Sequence, residues 1–594
     1  MTEPEKQHEP SMASSVGVHV EHLQAREPQN NVSTLSLFLA VISVATGFVG
    51  PILIIALQSS VIVQIANELG DTNNLSWPLS AFSVAGAVTF SIAGNLSDVF
   101  GRRMVILTGN TMMIVGGIVG ATAHSVMRLV VSDSIVGAAA GLIFVGYASI
   151  SEILPNKWRG AGIGLTEFLI TVPWSLVATL IATSIYSNTA LSWRWFYIFG
   201  VIYATFSLVG TAAFYFPPLR PRQDFEKTRW QQFKEIDFFG CLLFGGGCCS
   251  ILVAITWAGS QHPWNSAAVI APLVVGFCSV ACTFAYDAFV PASPLIPFQL
   301  IREVRKYVLC LVVAFVAGFI YYSMSALLPQ ATLFIFTSDS TQIGITQIPN
   351  GIGQLLFGSV ASAAIGPIGH LRIQFIFWTT LMVVAVVCMA ATIPHHKAAF
   401  MTLQAFGVGP FPTVTALTIV IASFNVPLPY LGVAIGLIGT FRSAGGSFGN
   451  AILQTILHSV VNEKLAPAII EASAKLGFDP EHAGELIGAT VQNALGVPFA
   501  FSNVTGITPE IEHAASEALK SAYAYAYQRV FYAIIPFGVI AIICAVLVHD
   551  PSQHLTNHTD VRMEKEGFLG HGKKSSAQPG ERTNNLDNEA NDVV

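Results

Sequence analysis

Apolar and polar positions alternate along this chain in long blocks rather than at single-residue steps. Fourteen apolar runs lie near residues 37–63, 78–97, 104–123, 129–150, 161–183, 195–216, 238–259, 267–289, 307–328, 345–366, 373–393, 399–423, 430–457 and 530–548. Each is close to the ~20 residues that a helix needs to cross a bilayer. A backbone inside hydrocarbon must satisfy its own hydrogen bonds, and helices do so within one segment. The pattern therefore predicts an all-α membrane protein with fourteen transmembrane helices. Residues 217–237 form a polar linker. Residues 458–528 are partly amphipathic, carry Pro and Gly breaks, and are expected to fold into short helices. Residues 1–36 and 549–594 are polar and read as disordered tails. The first of these contains no apolar run beside a cleavage site, so it is not read as a signal peptide.

Composition sharpens this picture. Of 594 residues, 53% are hydrophobic and 10% charged. A soluble chain carries about 25% charged residues, so the deficit excludes a water-exposed surface of this size. Gly and Phe are abundant, at 50 and 40 residues, and Gly is frequent where membrane helices pack closely. The net charge of −6 lies mostly in tails and loops, and no basic block points to nucleic acid. All eight Cys (241, 248, 249, 278, 282, 310, 388 and 544) fall within apolar runs and read as small hydrophobes. Neither a metal site nor a cofactor is expected.

Loop charge orients the spans. The loops after spans two, four, six, eight and ten hold Arg102, Arg103, Lys157, Arg159, Arg220, Arg222, Lys227, Arg229, Lys234, Arg302, Arg305, Lys306 and Arg372. The short loops after odd-numbered spans hold only Arg128, Arg194 and Lys397. Thirteen against three places both termini in the cytosol and 458–528 outside. Asn74 and Asn503 are then external glycosylation sequons, while the sequon at Asn95 is cytosolic and unused.

The strongest local signal is Gly94-Asn-Leu-Ser-Asp98-Val-Phe-Gly101-Arg102-Arg103, between spans two and three. Gly94 lets two helices approach, and Gly101 permits a tight turn. Asp98 can face the positive N-terminal end of a neighbouring helix. Arg102 and Arg103 can anchor the cytosolic face and pair with carboxylates. This stretch resembles the signature loop of the major facilitator superfamily. The other stretches are Trp193-Arg-Trp195-Phe196, Gly407-Val-Gly409-Pro410, Phe441-Arg442-Ser-Ala-Gly445-Gly446-Ser-Phe-Gly449 and Ala522-Tyr-Ala-Tyr-Ala-Tyr527. Together they resemble the trichothecene efflux pump family, within the fungal fourteen-span drug:proton antiporter group, over roughly residues 35–550.

The resemblance implies a major facilitator fold in a six-plus-two-plus-six arrangement. An N-terminal bundle spans 37–216, an inserted pair 238–289 and a C-terminal bundle 307–548. It further implies gating by Gly94, Asp98, Gly101, Arg102 and Arg103, and packing of span thirteen beside span two. Three positions differ from the group's pattern. Val99 stands where a basic residue is common. Asp133 stands four residues before Gly137, where the group carries Arg. Pro173-Trp174 replaces a Gly-Pro pair.

Ionisable groups deep in spans are costly and commonly functional. Asp133, Glu167 and Arg442 qualify. Arg442 lies about twelve residues into its span, roughly 18 Å deep, near the midplane; Asp133 lies toward the outside and Glu167 toward the cytosol. Each carboxylate is a candidate proton carrier or an interhelical hydrogen-bonding group, and Arg442 is read as structural or gating. Gln58, Trp174, Tyr321, Tyr322, Asn350, Gln354, Gln404 and Arg442 are candidates to line a cavity, or else pack helices. Gly567-x4-Gly572-Lys573 continues with Lys574 instead of Ser or Thr, without a preceding strand, so it is not a nucleotide loop. The expected function is secondary transport by a monomer: proton-coupled efflux of a hydrophobic toxin, secondary metabolite or drug. Uptake of a siderophore-iron complex and a non-transporting sensor are the alternatives. The plasma membrane is the expected location, with vacuolar or vesicle membranes as alternatives.

Overall fold

The computed structural model describes residues 34–71, 77–217, 238–258, 262–289, 298–427, 430–479, 482–495, 497, 499–502 and 504–556. Asn74, Asn503, linker residues 218–237 and tail residues 1–33 and 557–594 lie outside the described residues. Among the described residues every regular element is a helix, as the block pattern predicts.

The first elements are α1 (Thr34–Thr46), α2 (Val49–Glu68), α3 (Trp77–Phe100), α4 (Arg102–Ala121), α5 (Val126–Ile143) and α6 (Gly146–Ile153). They are followed by α7 (Arg159–Ile170), α8 (Ala178–Asn188) and α9 (Arg194–Phe214). Next come α10 (Phe238–Trp257) and α11 (Ala267–Phe289). The chain continues with α12 (Leu309–Ile335), α13 (Ser340–Gly353), α14 (Leu371–Met389), α15 (Lys397–Gly407) and α16 (Phe411–Asn425). It ends with α17 (Leu431–Ala474), α18 (Ala483–Ala494), α19 (Pro509–Tyr532) and α20 (Ile535–Leu547). Several adjacent pieces continue one rod across a short break. Ten helices among the described residues are long and apolar enough to cross a membrane, and the bent pair Asn156–Ser175 and Ala178–Asn188 makes an eleventh. Helices α10, α13 and α17 also fall on apolar runs but do not meet that threshold. For α13 and α17 the reason is visible in their Thr, Gln, Asn and Arg residues.

The outer faces of these rods are apolar. On α9, Ile202, Phe206 and Val209 share one face, and Phe206 is 69% exposed. In water such a stripe would demand a partner, whereas in lipid it meets its solvent. The interior is packed with large side chains: Trp193, Phe196, Tyr197, Phe319, Phe375, Phe400 and Phe531 are fully buried. Helix α3 packs on α5 and α17, α12 packs on α17, and α4 packs on α5 and α9. The pair α10–α11 leans on α3 and α17 through α10. Ile251 and Ile255 of α10 pack there with Ala451 of α17.

The segment 458–528 differs from the expected run of short helices. Helix α17 continues unbroken through it to Ala474, and α19 starts at Pro509, so among the described residues only α18 is a separate short helix. The start of α19 is written locally. Thr508 accepts a hydrogen bond from Ile511 N, Pro509 follows it, and Glu510 and Glu512 occupy the first turn. A capping Thr, a Pro and early acidic residues are a helix-start signature. Ile469, Phe478, Leu486, Phe501, Ile511 and Ala515 give this region its own small core. It forms the far end of the molecule. The opposite end, called the loop end below, carries Asp98–Arg103, Asn156–Trp158, Val304–Val308, Ile365–Leu371 and residues 549–556.

Candidate functional site: a loop-end ion network and a central aromatic cluster

At the loop end, α3 and α17 meet backbone to backbone. A Cβ on Gly94 would stand 2.5 Å from the carbonyl oxygen of Gly432, so only glycine permits this approach. Gly101 ends the turn between α3 and α4 at φ +89°, a conformation that L side chains rarely adopt. The turn presents Asp98 to the start of α17, where Val433 N donates to Asp98 Oδ2 at 3.2 Å. Helix α17 has no side-chain cap of its own, so a carboxylate from another helix serves one of its free amides.

Arg102 joins this contact to α6. Its Nη1 donates to Asp98 Oδ1 at 2.6 Å, and its Nη2 to Glu152 Oε1 at 2.7 Å. It also donates to Ser97 Oγ. All three charged side chains are nearly enclosed, at 2–6% exposure. One guanidinium thus faces two carboxylates, and the α17 N-terminus supplies further partial positive charge. Glu152 was not among the sequence candidates. Its signal was present, as an acidic residue just past the end of an apolar run, in the last turn of α6. Arg103 takes no part in this network. Its Nη2 donates to Ala212 O at 2.8 Å, and its guanidinium lies 4.2 Å from the Phe216 ring centroid.

A second group lies midway along the rods. Tyr147 of α6 donates to Glu167 Oε1 of α7 at 2.8 Å. Arg442 of α17 is within electrostatic reach of Glu167, Tyr147, Tyr321 and Tyr322. Its guanidinium lies 5.0 Å from the ring of Phe144 and 5.7 Å from that of Phe411. Its Nε is buried and has no hydrogen-bond partner among the described residues. The α17 backbone is held at this point, because a Cβ on Gly318 of α12 would overlap the Arg442 carbonyl. Tyr321 stacks on Phe411 at 3.9 Å and donates to Gln354 Oε1 at 3.3 Å. Gln354 Nε2 in turn donates to Asn350 Oδ1 at 3.1 Å. Phe144, Tyr147 and Glu167 come from α1–α9, and Tyr321, Gln354, Phe411 and Arg442 from α12–α20. The cluster therefore joins both halves of the chain.

The other sequence candidates are elsewhere. Asp133 of α5 is fully buried, receiving hydrogen bonds from Gln58 Nε2 at 2.9 Å and Tyr197 Oη at 3.0 Å. Gln58 is thereby fully buried against Asp133. Trp174 donates to Tyr203 Oη at 3.1 Å among α9 aromatics, also outside the central cluster. Gln404 is fully buried, with both amide atoms unpartnered among the described residues. Tyr147, Phe144 and Phe411 were not singled out from sequence; aromatic residues in apolar runs carry no mark of which face they occupy.

The sequence profile of the fungal trichothecene efflux pump family (TRI12) matches residues 27–567. The trichothecene efflux pump TRI12 of Fusarium sporotrichioides is 25% identical over 518 residues, covering 84% of each chain. The MFS-type transporter prx5 of Penicillium rubens is 26% identical over 452 residues, covering 75% of this chain and 80% of the relative. The solved structure of the proton:xylose symporter XylE covers 70% of this chain and 88% of its own, at 14% identity and a TM-score of 0.49. The profile match spans nearly the whole sequence, and its relatives are transporters, not enzymes. The chain belongs to the fungal trichothecene efflux pump family, among the transporters of the major facilitator superfamily.

Proposed function

We propose that this protein is a secondary, proton-coupled exporter of hydrophobic small molecules such as fungal toxins, working as a monomer in the plasma membrane. The observation that carries this reading is the placement of Glu167 and Arg442 on opposite halves of the chain, around one aromatic cluster. An ionised Glu167 balances the charge of Arg442 across the seam between halves. A protonated Glu167 does not, so proton binding changes how the halves attract one another. The rings of Phe144, Tyr321 and Phe411 offer an apolar surface to a substrate at the same place. The trichothecene efflux pump among the relatives supports the direction of transport.

In this reading the rods make fourteen spans, six plus two plus six, with α10 and α11 as the inserted pair. The loop end is cytosolic, and the two six-helix bundles alternate in access. Gly94, Asp98, Gly101 and Arg102 form the cytosolic gate, and Asp133 is a second proton-carrying candidate within the N-terminal bundle.

Flux into inside-out vesicles tests the reading. A trichothecene should accumulate when the lumen is acid-loaded, and a protonophore should abolish the accumulation. Glu167→Gln should remove the dependence on the gradient at normal protein levels, and Asp133→Asn should weaken it. Normal gradient-driven flux in the double variant would exclude both carboxylates as coupling groups. Gradient-driven movement of a ferric siderophore, with none of the trichothecene, would reassign the substrate.

A further inference from the structure

After α20 the chain turns back across the loop end. His549 N donates to Arg305 O at 2.8 Å, holding the segment to the turn before α12. Leu371 N, at the start of α14, donates to Ser552 Oγ at 2.7 Å. Both partners belong to the C-terminal half. The next residues cross to the other half, to the connection between α6 and α7. Asn156 Nδ2 donates to His554 O at 3.1 Å, and Lys157 N donates to Thr556 O at 3.0 Å.

The segment lies beside an existing contact between the halves. The His554 ring is 6.3 Å from that of Phe424. The Arg159 guanidinium sits 4.7 Å from the same Phe424 ring, and Arg159 Nη1 donates to Ser423 Oγ at 2.8 Å. Leu555 packs against the main core. The bonds to Arg305 and Leu371 are local to the C-terminal half and would survive any rigid movement of it. The bonds to Asn156 and Lys157 would not, because they span the seam that must widen when the loop ends part.

We infer that residues 549–556 are a strap that docks on the α6–α7 connection at Asn156–Lys157 and holds the loop ends of the two halves together. This connection is an interaction surface for the chain's own C-terminal segment, and it is vacated each time this end opens. The inference rests on the alternating-access reading above. Two hydrogen bonds across the seam bias the equilibrium toward the closed loop end without preventing its opening.

Ser362 reports on the seam. It is fully buried and lies opposite Gly160, whose added Cβ would stand 2.5 Å from the Ser362 carbonyl oxygen. In a full-length background lacking native cysteines, Ser362→Cys is exposed to a membrane-impermeant maleimide at the loop end, and labelling is read peptide by peptide by mass spectrometry. Ending the chain at Asp550 removes both seam bonds and should speed labelling about tenfold, the effect of losing two hydrogen bonds of ordinary net strength. Asn156→Ala removes one seam bond and should speed labelling about threefold. A cross-link between Asn156→Cys and His554→Cys should suppress labelling at position 362, and reduction should restore it. An unchanged rate in both strap-broken variants overturns the strap alone. So does normal labelling in the cross-linked protein. Absence of labelling in every variant overturns the alternating-access reading, and the strap with it.

Discussion

Arg102 shows how one residue can tie several helix ends together. It binds Asp98 and Glu152 inside a nearly closed site, while Asp98 also accepts from Val433 N at the start of α17. Removing a partner from a buried ion pair costs more than the pair contributes, because the remaining charge stays buried. Asp98→Asn is the milder case, since Arg102 keeps Glu152. It removes the charge facing the α17 N-terminus, an interaction of about 1 kcal/mol, rising toward ~2 where partly buried. We expect Asp98→Asn to weaken the closed loop end, raise cysteine accessibility from that side, and slow turnover. Unchanged accessibility together with normal transport would make Asp98 an ordinary helix-end residue. The mid-span charges follow related logic. An arginine at the centre of a membrane helix costs about 2.5–3.5 kcal/mol on insertion scales. Arg442 bears that cost between two phenyl rings, with its Nε unpartnered among the described residues, which is why a functional role is proposed for it.

Among the elements, α17 does the most joining. It touches α3 at the loop end, α12 at the centre and α19 toward the far end. Its contact with α3 depends on small residues. Gly94 and Gly432 leave no room for a methyl group, and Ser97 and Asp98 fill the space beside Gly432. Gly94→Ala overpacks this crossing, a change that costs about 1–3 kcal/mol in a close-packed site. The strain falls on the closed arrangement alone, so the loop ends should separate. Spin labels at the exposed Met104 and Ile373 should report a longer mean distance in Gly94→Ala than in the parent. Identical distance distributions would mean that the crossing tolerates the methyl group by local adjustment.

For the whole molecule, the two ends differ in charge and construction. The loop end holds buried ion pairs and the strap, whereas the far end carries the small core formed by α17, α18 and α19. We propose that the loop end is cytosolic, on the thirteen-to-three split of basic residues. Protease added outside intact cells should therefore cut a site inserted at Gly496. Cleavage only after permeabilisation would reverse the orientation. The inserted pair α10–α11 belongs to this scale as well, because α10 touches α3 from one half and α17 from the other. In the alternating-access reading proposed above, it would have to accommodate movement of either half.

What the sequence determined by itself is what each helix settles locally. A rod in lipid satisfies its own backbone and turns apolar side chains outward, so run length and hydropathy were enough to mark the helices. Even there, the end of α17 and the start of α19 were misplaced, because their polar continuations leave the apolar run while the helix goes on. The Gly94–Arg103 turn was legible for a similar reason, as its glycines and charges act within ten residues. Which ionisable groups meet was decided only by the tertiary structure. Asp133 and Glu167 look alike in sequence, yet one is sealed by Gln58 and Tyr197 and the other accepts from Tyr147 within electrostatic reach of Arg442 from the other half. Glu152 joins Arg102 from 50 positions away, and Asn156 meets His554 from 398 away. Those pairings depend on how rods rotate and cross, and hydropathy carries no information about the rotation of one helix against another.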